Sequence, residues 1–383
     1  MTARSVEMRA DDLRAEDLRF MALALALGRR GLGRTWPNPA VGAVVVSTDG
    51  AGPLIVGRGW TQPGGRPHAE VEALARAGEA ARGATLYVTL EPCSHHGKSP
   101  PCADAIIKAG IKRVVSTIAD PNPQVAGAGH WRLAENGVTV EVGSGADAAR
   151  RDNAGHIRRM TDGRPHTILK LALSADGKAG LSGRRPASIT GEASRERVHM
   201  MRATSDAVLT GIGTALSDDP LLTCRLPGMA GRSPVRIVLD SALRLPLEGR
   251  LVATAREVPV WVVTGDGAAP DRAQALQARG IEVLRVAAAN GRLDLGAVLQ
   301  TLAGRGITRL MIEAGPIVSA AFVNADLVDE AVVFRSPNAI GSDGIDALEG
   351  LPLEALTKSP RLSMTGTETA GADTIERFVR VEN

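Results

Sequence analysis

The chain has 383 residues, 44% of them apolar and 23% charged, with a formal net charge of +3. Its length suits two domains at one per ~150 residues, and its composition excludes disordered and fibrous classes. The positive charge is scattered rather than gathered in Lys/Arg blocks, which argues against a nucleic-acid partner but leaves small anionic ligands open. Residues 1–18 are studded with charge and the apolar run 20–27 is too short to span a bilayer, so the reading is a cytoplasmic protein with no membrane partner.

Short apolar runs alternate with helical patterns along the whole chain, the mark of an α/β architecture with a mostly parallel or mixed sheet. The spacing predicts a helix over 16–29, strands over 40–47 and 54–57, a helix over 68–77 and a strand over 85–89. A helix over 102–109 and strands over 113–118 and 138–142 complete the first half. The polar segment 158–165 breaks this rhythm. Its Asp162-Gly163 and Arg164-Pro165 pairs favour turns and extended linkers over helix, so the boundary is placed there, between domains over 1–160 and 165–383. Strands over 167–173, 207–210, 235–239, 259–263, 281–286, 309–313 and 330–334 supply a second sheet.

Three cysteines, two of them close together beside Pro and His, point to a metal or catalytic site in a reducing compartment rather than to a disulfide framework. The strongest constellation is His68-Ala69-Glu70, then Glu91-Pro92-Cys93, then Pro100-Pro101-Cys102. His68, Cys93 and Cys102 supply three ligands for a tetrahedral Zn2+ and leave the fourth position for water, as a catalytic site requires and a closed structural site does not. Zinc brings the pKa of such a water toward neutrality. Glu70, two residues after the histidine at a helix start, can move protons without binding metal. A His-x-Glu followed by Pro-Cys and a second Cys is the pattern of zinc deaminases, although eight residues separate the cysteines here where that pattern has two. Pro101 suits a first helical turn, which puts Cys102 at a helix N-terminus whose partial positive charge favours a thiolate. The competing reading is a structural zinc knuckle closed by His95 or His96, which has no use for Glu70. Cys224 stands alone and reads as a small core residue.

Together with Phe20-Met21-Ala22, Thr35-Trp36-Pro37-Asn38-Pro39-Ala40-Val41-Gly42, the loop Gly97-Lys98-Ser99 and Asp120-Pro121-Asn122-Pro123-Gln124-Val125-Ala126-Gly127, these motifs make the chain resemble the bifunctional deaminase/reductases of riboflavin biosynthesis. The long insertion between the cysteines is part of that family's own motif. The resemblance implies an N-terminal cytidine-deaminase-like α/β/α domain acting on a diaminopyrimidinone that bears a ribosylamino phosphate. It implies substrate contacts from Asn38 and His95, with Lys98 near the phosphate. Taken alone, Asn38 between two prolines reads as a turn residue.

In the second half, Lys170-Leu171-Ala172-Leu173-Ser174-Ala175-Asp176-Gly177-Lys178, the run from Gly211-Ile212-Gly213-Thr214 to Arg225, and Ile312-Glu313-Ala314-Gly315-Pro316 resemble the family's reductase domain. This implies a dihydrofolate-reductase-like α/β domain that uses NADPH to reduce the ribosyl group to an open ribityl chain. By the same resemblance Lys170 and Asp218 are catalytic. Cofactor contacts would come from Ala172, Ser188, Thr214, Asp218, Ser241 and the turn Gly315, Pro316, Ile317, Val318, Ser319, Ala320 and Ala321. Substrate contacts would come from Pro186, Arg202, Leu222, Arg225 and Glu313. The residues suit these tasks. Gly211-Ile212-Gly213 is not a Rossmann fingerprint, since Leu216 holds the third glycine's place, so the strand-to-helix turn at Ala314-Gly315-Pro316 is the phosphate-binding candidate. Arg202 and Arg225 offer planar donors for a phosphate, and Glu313 can accept from sugar hydroxyls. Without the resemblance each arginine reads as a solvated surface charge.

Four positions depart from the family pattern. Pro186-Ala187-Ser188 stands where an aromatic usually precedes Ile189-Thr190, Thr61 where His is frequent, Ala128 where a basic residue is usual and Asn338 where Lys is common. These bear on NADPH affinity and phosphate contacts more than on the zinc chemistry. The family implies a homodimer or homotetramer. The alternatives are a zinc deaminase with a weakened reductase half, a nucleic-acid base deaminase, against which the missing basic stripe argues, and a non-catalytic binding protein, against which Glu70 argues.

Overall fold

In the strand Gly42–Ser47 the side chains of Val44 and Val46 turn to one face and those of Ala43 and Val45 to the other, and all four are buried. A strand buried on both faces demands cover on both. The computed structural model describes residues 10–48, 52–97, 99–123, 125–185, 187–289 and 291–381, and the chain divides into two compact units, 1–162 and 163–383.

The first unit holds one five-stranded sheet in the order β2-β1-β3-β4-β5, with β1 (Gly42–Ser47), β2 (Leu54–Trp60), β3 (Thr85–Val88), β4 (Arg113–Ser116) and β5 (Thr139–Val142). β1 runs antiparallel to β2 and β3, and β3, β4 and β5 are parallel. Helix α1 (Ala10–Gly28) covers one face through Phe20, Met21, Ala24 and Leu25 against Val44, Val46, Tyr87 and Val115. α2 (Ala69–Ala77), α3 (Cys102–Lys108) and α4 (Ala128–Glu135) cover the other, packing Ala73, Ile106 and Leu133 on Val45, Leu86 and Val114. The unit ends in α5 (Ala146–Asp152) and α6 (Ala154–Asp162).

The polar segment that reads as a linker is helical as far as Asp162. Arg158 pairs with Asp162 at 2.7 Å, one turn away, an i,i+4 contact that supports helix, and the break comes at Gly163, whose φ of 67° ends it.

The strands of the second unit are β6 (His166–Leu173), β7 (Lys178–Leu181), β8 (Ala207–Gly211), β9 (Val235–Leu239), β10 (Val260–Gly265), β11 (Glu282–Val286), β12 (Ala288–Ala289), β13 (Arg292–Leu293), β14 (Arg309–Ile312), β15 (Glu330–Arg335), β16 (Gly344–Asp346), β17 (Leu362–Ala370) and β18 (Asp373–Arg380). Nine of them form one sheet, in the order β11-β10-β9-β8-β14-β6-β15-β18-β17. The neighbours from β11 to β15 are parallel, and only β18 runs the other way, antiparallel to both β15 and β17. Strands β8, β9 and β10 are buried throughout, Thr210, Arg236 and Thr264 included, which is why they read as mainly apolar runs. Helices α7 (Glu192–Ala203), α8 (Ile212–Asp218), α9 (Arg250–Ala253), α10 (Pro270–Ala278), α11 (Leu295–Gly304) and α12 (Pro316–Asn324) accompany them. In such sheets ligands bind at the carboxyl ends of the strands, where β8 leads into α8 and β14 into α12.

Candidate active sites

Gly59 sets the position of the first site. A Cβ there would lie 2.3 Å from the Ala69 carbonyl oxygen, so glycine alone lets β2 run this close beneath the first turn of α2. His68 caps that helix and Glu70 sits in its first turn. Both line a cavity of about 160 Å3 with Cys93, which follows β3, and Cys102 opens α3 beside it.

His68 Nδ1 lies 3.3 Å from Cys102 Sγ and 3.7 Å from Cys93 Sγ, and the three ligand atoms all fall within 4.8 Å of one another. A tetrahedral ion with Zn–N of about 2.0 Å and Zn–S of about 2.3 Å requires N···S edges of about 3.5 Å, so the residues fit zinc. Neither His95 nor His96 joins the cluster among the described residues, so a knuckle closed by a fourth protein ligand is not formed. Cys93 is pulled down to about 4, first by hydrogen bonding to Cys102 and then by His68, against its burial. Burial pushes the Glu70 carboxyl above its ordinary range, the nearby His68 opposing. A carboxylate raised in this way suits proton transfer near neutral pH.

Asn38 Nδ2 donates to the Gly65 carbonyl at 2.8 Å and stands 3.4 Å from His68 Nε2; it and His95 line the same cavity. Lys98 lies outside the described residues. Thr61 is buried, and its hydroxyl accepts from the Val41 amide at 3.0 Å. Arg66, Asp120, Asn122, His156 and Arg159 also line the cavity. Asp120 and Asn122 belong to a run whose resemblance is visible but whose chemistry no spacing reveals, and His156 carries no sequence signal at all. Its Nε2 lies 2.8 Å from Asp120 Oδ1. Glu91, within the cysteine motif, accepts the amides of Asp120, Gly127, Gly129 and His130 and ties down that loop.

In the second unit a cavity of about 320 Å3 opens among Lys170, Ala172, Ser188, Arg202, Thr214, Asp218, Leu222, Glu313, Gly315 and Pro316. Arg202 is buried, and its Nε and Nη2 donate to the two Glu313 oxygens at 2.9 and 2.8 Å while Nη1 donates to the Thr223 carbonyl. Lys170 Nζ stands 3.9 Å from Glu313. Burial pushes the Lys170 ammonium below its ordinary range, Glu313 opposing and Arg202 adding to the fall. For Glu313 burial acts upward, but Arg202 and Lys170 outweigh it and hold the carboxyl down to about 2. The Thr214 hydroxyl accepts the Gly315 amide at 3.1 Å, fixing the turn into α12. Ser188 is exposed and receives a bond from Arg195 at 3.3 Å.

A neighbouring cavity of about 510 Å3 is lined by Ser241, Ile317, Val318, Ala320 and Ala321. Ser319 is not brought to either cavity. It is buried and donates to the Ala314 carbonyl within its own turn. Arg225 is exposed beside the smaller cavity rather than in its wall, its amide donating to His199 Nδ1. Pro186 lies outside the described residues.

Two family profiles match: residues 14–118 fit the cytidine and deoxycytidylate deaminase zinc-binding region, and residues 165–375 the RibD C-terminal domain. Riboflavin biosynthesis protein RibD of Escherichia coli is 40% identical over 92% of this chain and 96% of its own length. The chain belongs to the RibD family of riboflavin biosynthesis proteins. The RibD of Aquifex aeolicus is 39% identical over 94% of this chain and 98% of its own. Acinetobacter baumannii RibD superposes with a TM-score of 0.85 at 36% identity, covering 96% of this chain and all of that one. The Thermotoga maritima diaminohydroxyphosphoribosylaminopyrimidine deaminase/5-amino-6-(5-phosphoribosylamino)uracil reductase does so at 0.82 and 34%, covering 96% of this chain and 100% of its own. RibD membership makes the chain a bifunctional enzyme, a zinc-binding deaminase half followed by a reductase half. No helix among the described residues is long and apolar enough to cross a membrane.

Proposed function

We propose that the chain deaminates 2,5-diamino-6-(5-phosphoribosylamino)pyrimidin-4-one in its first half and, with NADPH, reduces the product's ribosyl group to a ribityl chain in its second. The observation that carries the deaminase assignment is a buried Glu70 carboxyl beside three zinc-spaced ligand atoms, with Glu70, His68 and Cys93 in the wall of one cavity. Zinc held by His68, Cys93 and Cys102 supplies Lewis acidity and hydroxide at neutral pH. Glu70 accepts a proton from the attacking water and passes it to the ring nitrogen, then takes the remaining proton of the added hydroxyl and gives it to the departing ammonia as the C–N bond breaks. Asn38 and His95 hold the pyrimidine and ribose, and the boundary between the activities falls within 160–165.

NADPH supplies the hydride of the second step. The first turn of α12, Gly315 to Ala321, together with Ala172, Ser188, Thr214 and Ser241, would hold it. Lys170, whose ammonium burial makes a readier proton donor, and Asp218 deliver the proton that accompanies ring opening. Glu313 accepts from the sugar hydroxyls. Arg202 is already forked onto Glu313 and orients it, which leaves the more exposed Arg225 as the freer partner for the phosphate, with Leu222 packing against the substrate. The enzyme acts in the cytoplasm as a homodimer or homotetramer.

The deaminase assignment is tested with Glu70→Gln. The amide leaves all three ligands in place but cannot shuttle protons, so ammonia release is abolished while zinc content is unchanged. Deamination near the parent rate would remove Glu70 from the mechanism.

A further inference from the structure

Two donors of the deaminase cavity converge on a residue without a side chain. Arg66, in the loop that leads to His68, and His95, in the loop after Cys93, both line the cavity. A Cβ at Gly97 would lie 3.4 Å from Arg66 Nη2 and 3.8 Å from His95 Nε2, so the guanidinium and the imidazole edge flank the space that glycine leaves open. Arg66 Nη1 donates to Ser99 Oγ at 2.8 Å. That bond ties the guanidinium across to the same loop, and among the described residues no carboxylate is paired with it.

The acids of the cavity are committed elsewhere. Asp120 Oδ1 is taken by His156 Nε2 and the Asn122 amide, Glu91 by four backbone amides, and Glu70 stands beside the zinc ligands. The arginines that line the cavity are Arg66 and Arg159, and it is Arg66 that stands over Gly97 beside His95. A planar guanidinium held in place by one bond, with further N–H groups free, matches the fork geometry that recognises phosphate. The ordering imposed by Ser99 lowers the entropy lost when the anion arrives.

We propose that Arg66, oriented by Ser99 and flanked by His95 over Gly97, is a specificity-determining residue of the deaminase that recognises the 5′-phosphate of its substrate. The proposal rests on the deaminase reading above. Binding energy taken from this remote group places the pyrimidine without entering the chemistry, so it shows in KM and not in kcat.

The test compares deamination of the phosphorylated diaminopyrimidine with that of its dephosphorylated riboside by the zinc-loaded full chain. Arg66→Gln raises KM for the phosphorylated compound roughly 10- to 100-fold. It leaves kcat, zinc content and the riboside's KM within about twofold. Arg66→Lys, which keeps the charge but not the fork, falls between, and inhibition by ribose 5-phosphate weakens in the same order. The proposal is overturned if phosphate preference survives Arg66→Gln, if KM rises equally for both compounds, as a scaffolding role would produce, or if Arg159→Gln abolishes the preference instead. A parent chain that releases ammonia from neither compound would fail the deaminase reading itself, a separate outcome.

Discussion

Replacing Glu313 by Gln removes one charge from a largely buried triad and leaves Arg202 and Lys170 facing each other. The parent carboxylate receives two charge-assisted bonds from Arg202, at 2.9 and 2.8 Å, with Lys170 at 3.9 Å. It is held down to about 2 despite its burial. Against an ordinary value near 4.5 that depression corresponds to roughly 3 kcal/mol of stability. Breaking a buried ion pair from one side costs about 3–5 kcal/mol, and the amide of Gln keeps one acceptor for Arg202. Glu313→Gln should therefore destabilise the second unit by about 2–4 kcal/mol. In a calorimetric scan of the full zinc-loaded chain, the endotherm of the second unit should fall by about 5–15 °C while that of the first stays in place. The sign with pH follows from the depressed value. The contribution is fully present above about 4.5 and is lost as pH falls through about 2, so parent and variant should converge over that interval. A variant that unfolds with the parent at pH 7 would refute the triad as a source of stability.

Cys93→Ser and Cys102→Ser should each lose zinc, because a hydroxyl is not ionised at neutral pH and ligates the ion poorly; full occupancy by metal analysis in both would contradict the ligand assignment. Ser188→Trp should tighten NADPH binding about fivefold, since ring stacking is worth roughly 1 kcal/mol and Ser188 lines the reductase cavity. Titration of cofactor fluorescence reads it, and an unchanged affinity would show that no ring of the cofactor reaches this position.

Both sheets and the zinc site were legible because their signals are local. β10 reads as a strand because its run Val260 to Val263 is apolar, and the zinc ligands read as such because His68, Cys93 and Cys102 fall in short motifs whose residue types have few other uses. The hairpin of β17 and β18 was not legible. β17 is exposed along almost its whole length and so carries no two-residue alternation, and only Gly371, with a φ of 64° at the turn, marks it. Helix α6 was hidden by Asp162-Gly163, which signals a break correctly but says nothing of the helix before it. The partner of Asp120 was hidden for another reason. His156 comes from a helix 36 positions away, and only the fold brings the two to one cavity wall. Arg202 shows the same limit, since its type suggests an anion and only the structure reveals that the anion is Glu313.

In this chain two successive reactions act on one phosphorylated pyrimidine. The most direct measurement supplies zinc-loaded chain with the diaminopyrimidine phosphate and NADPH, and follows ammonia release and the loss of NADPH absorbance together. The account predicts ammonia first, then NADPH oxidation in equal amount after a lag, and no oxidation when the zinc is removed unless the deaminated intermediate is added. Ammonia release without any NADPH oxidation, even with that intermediate supplied, would contradict the claim.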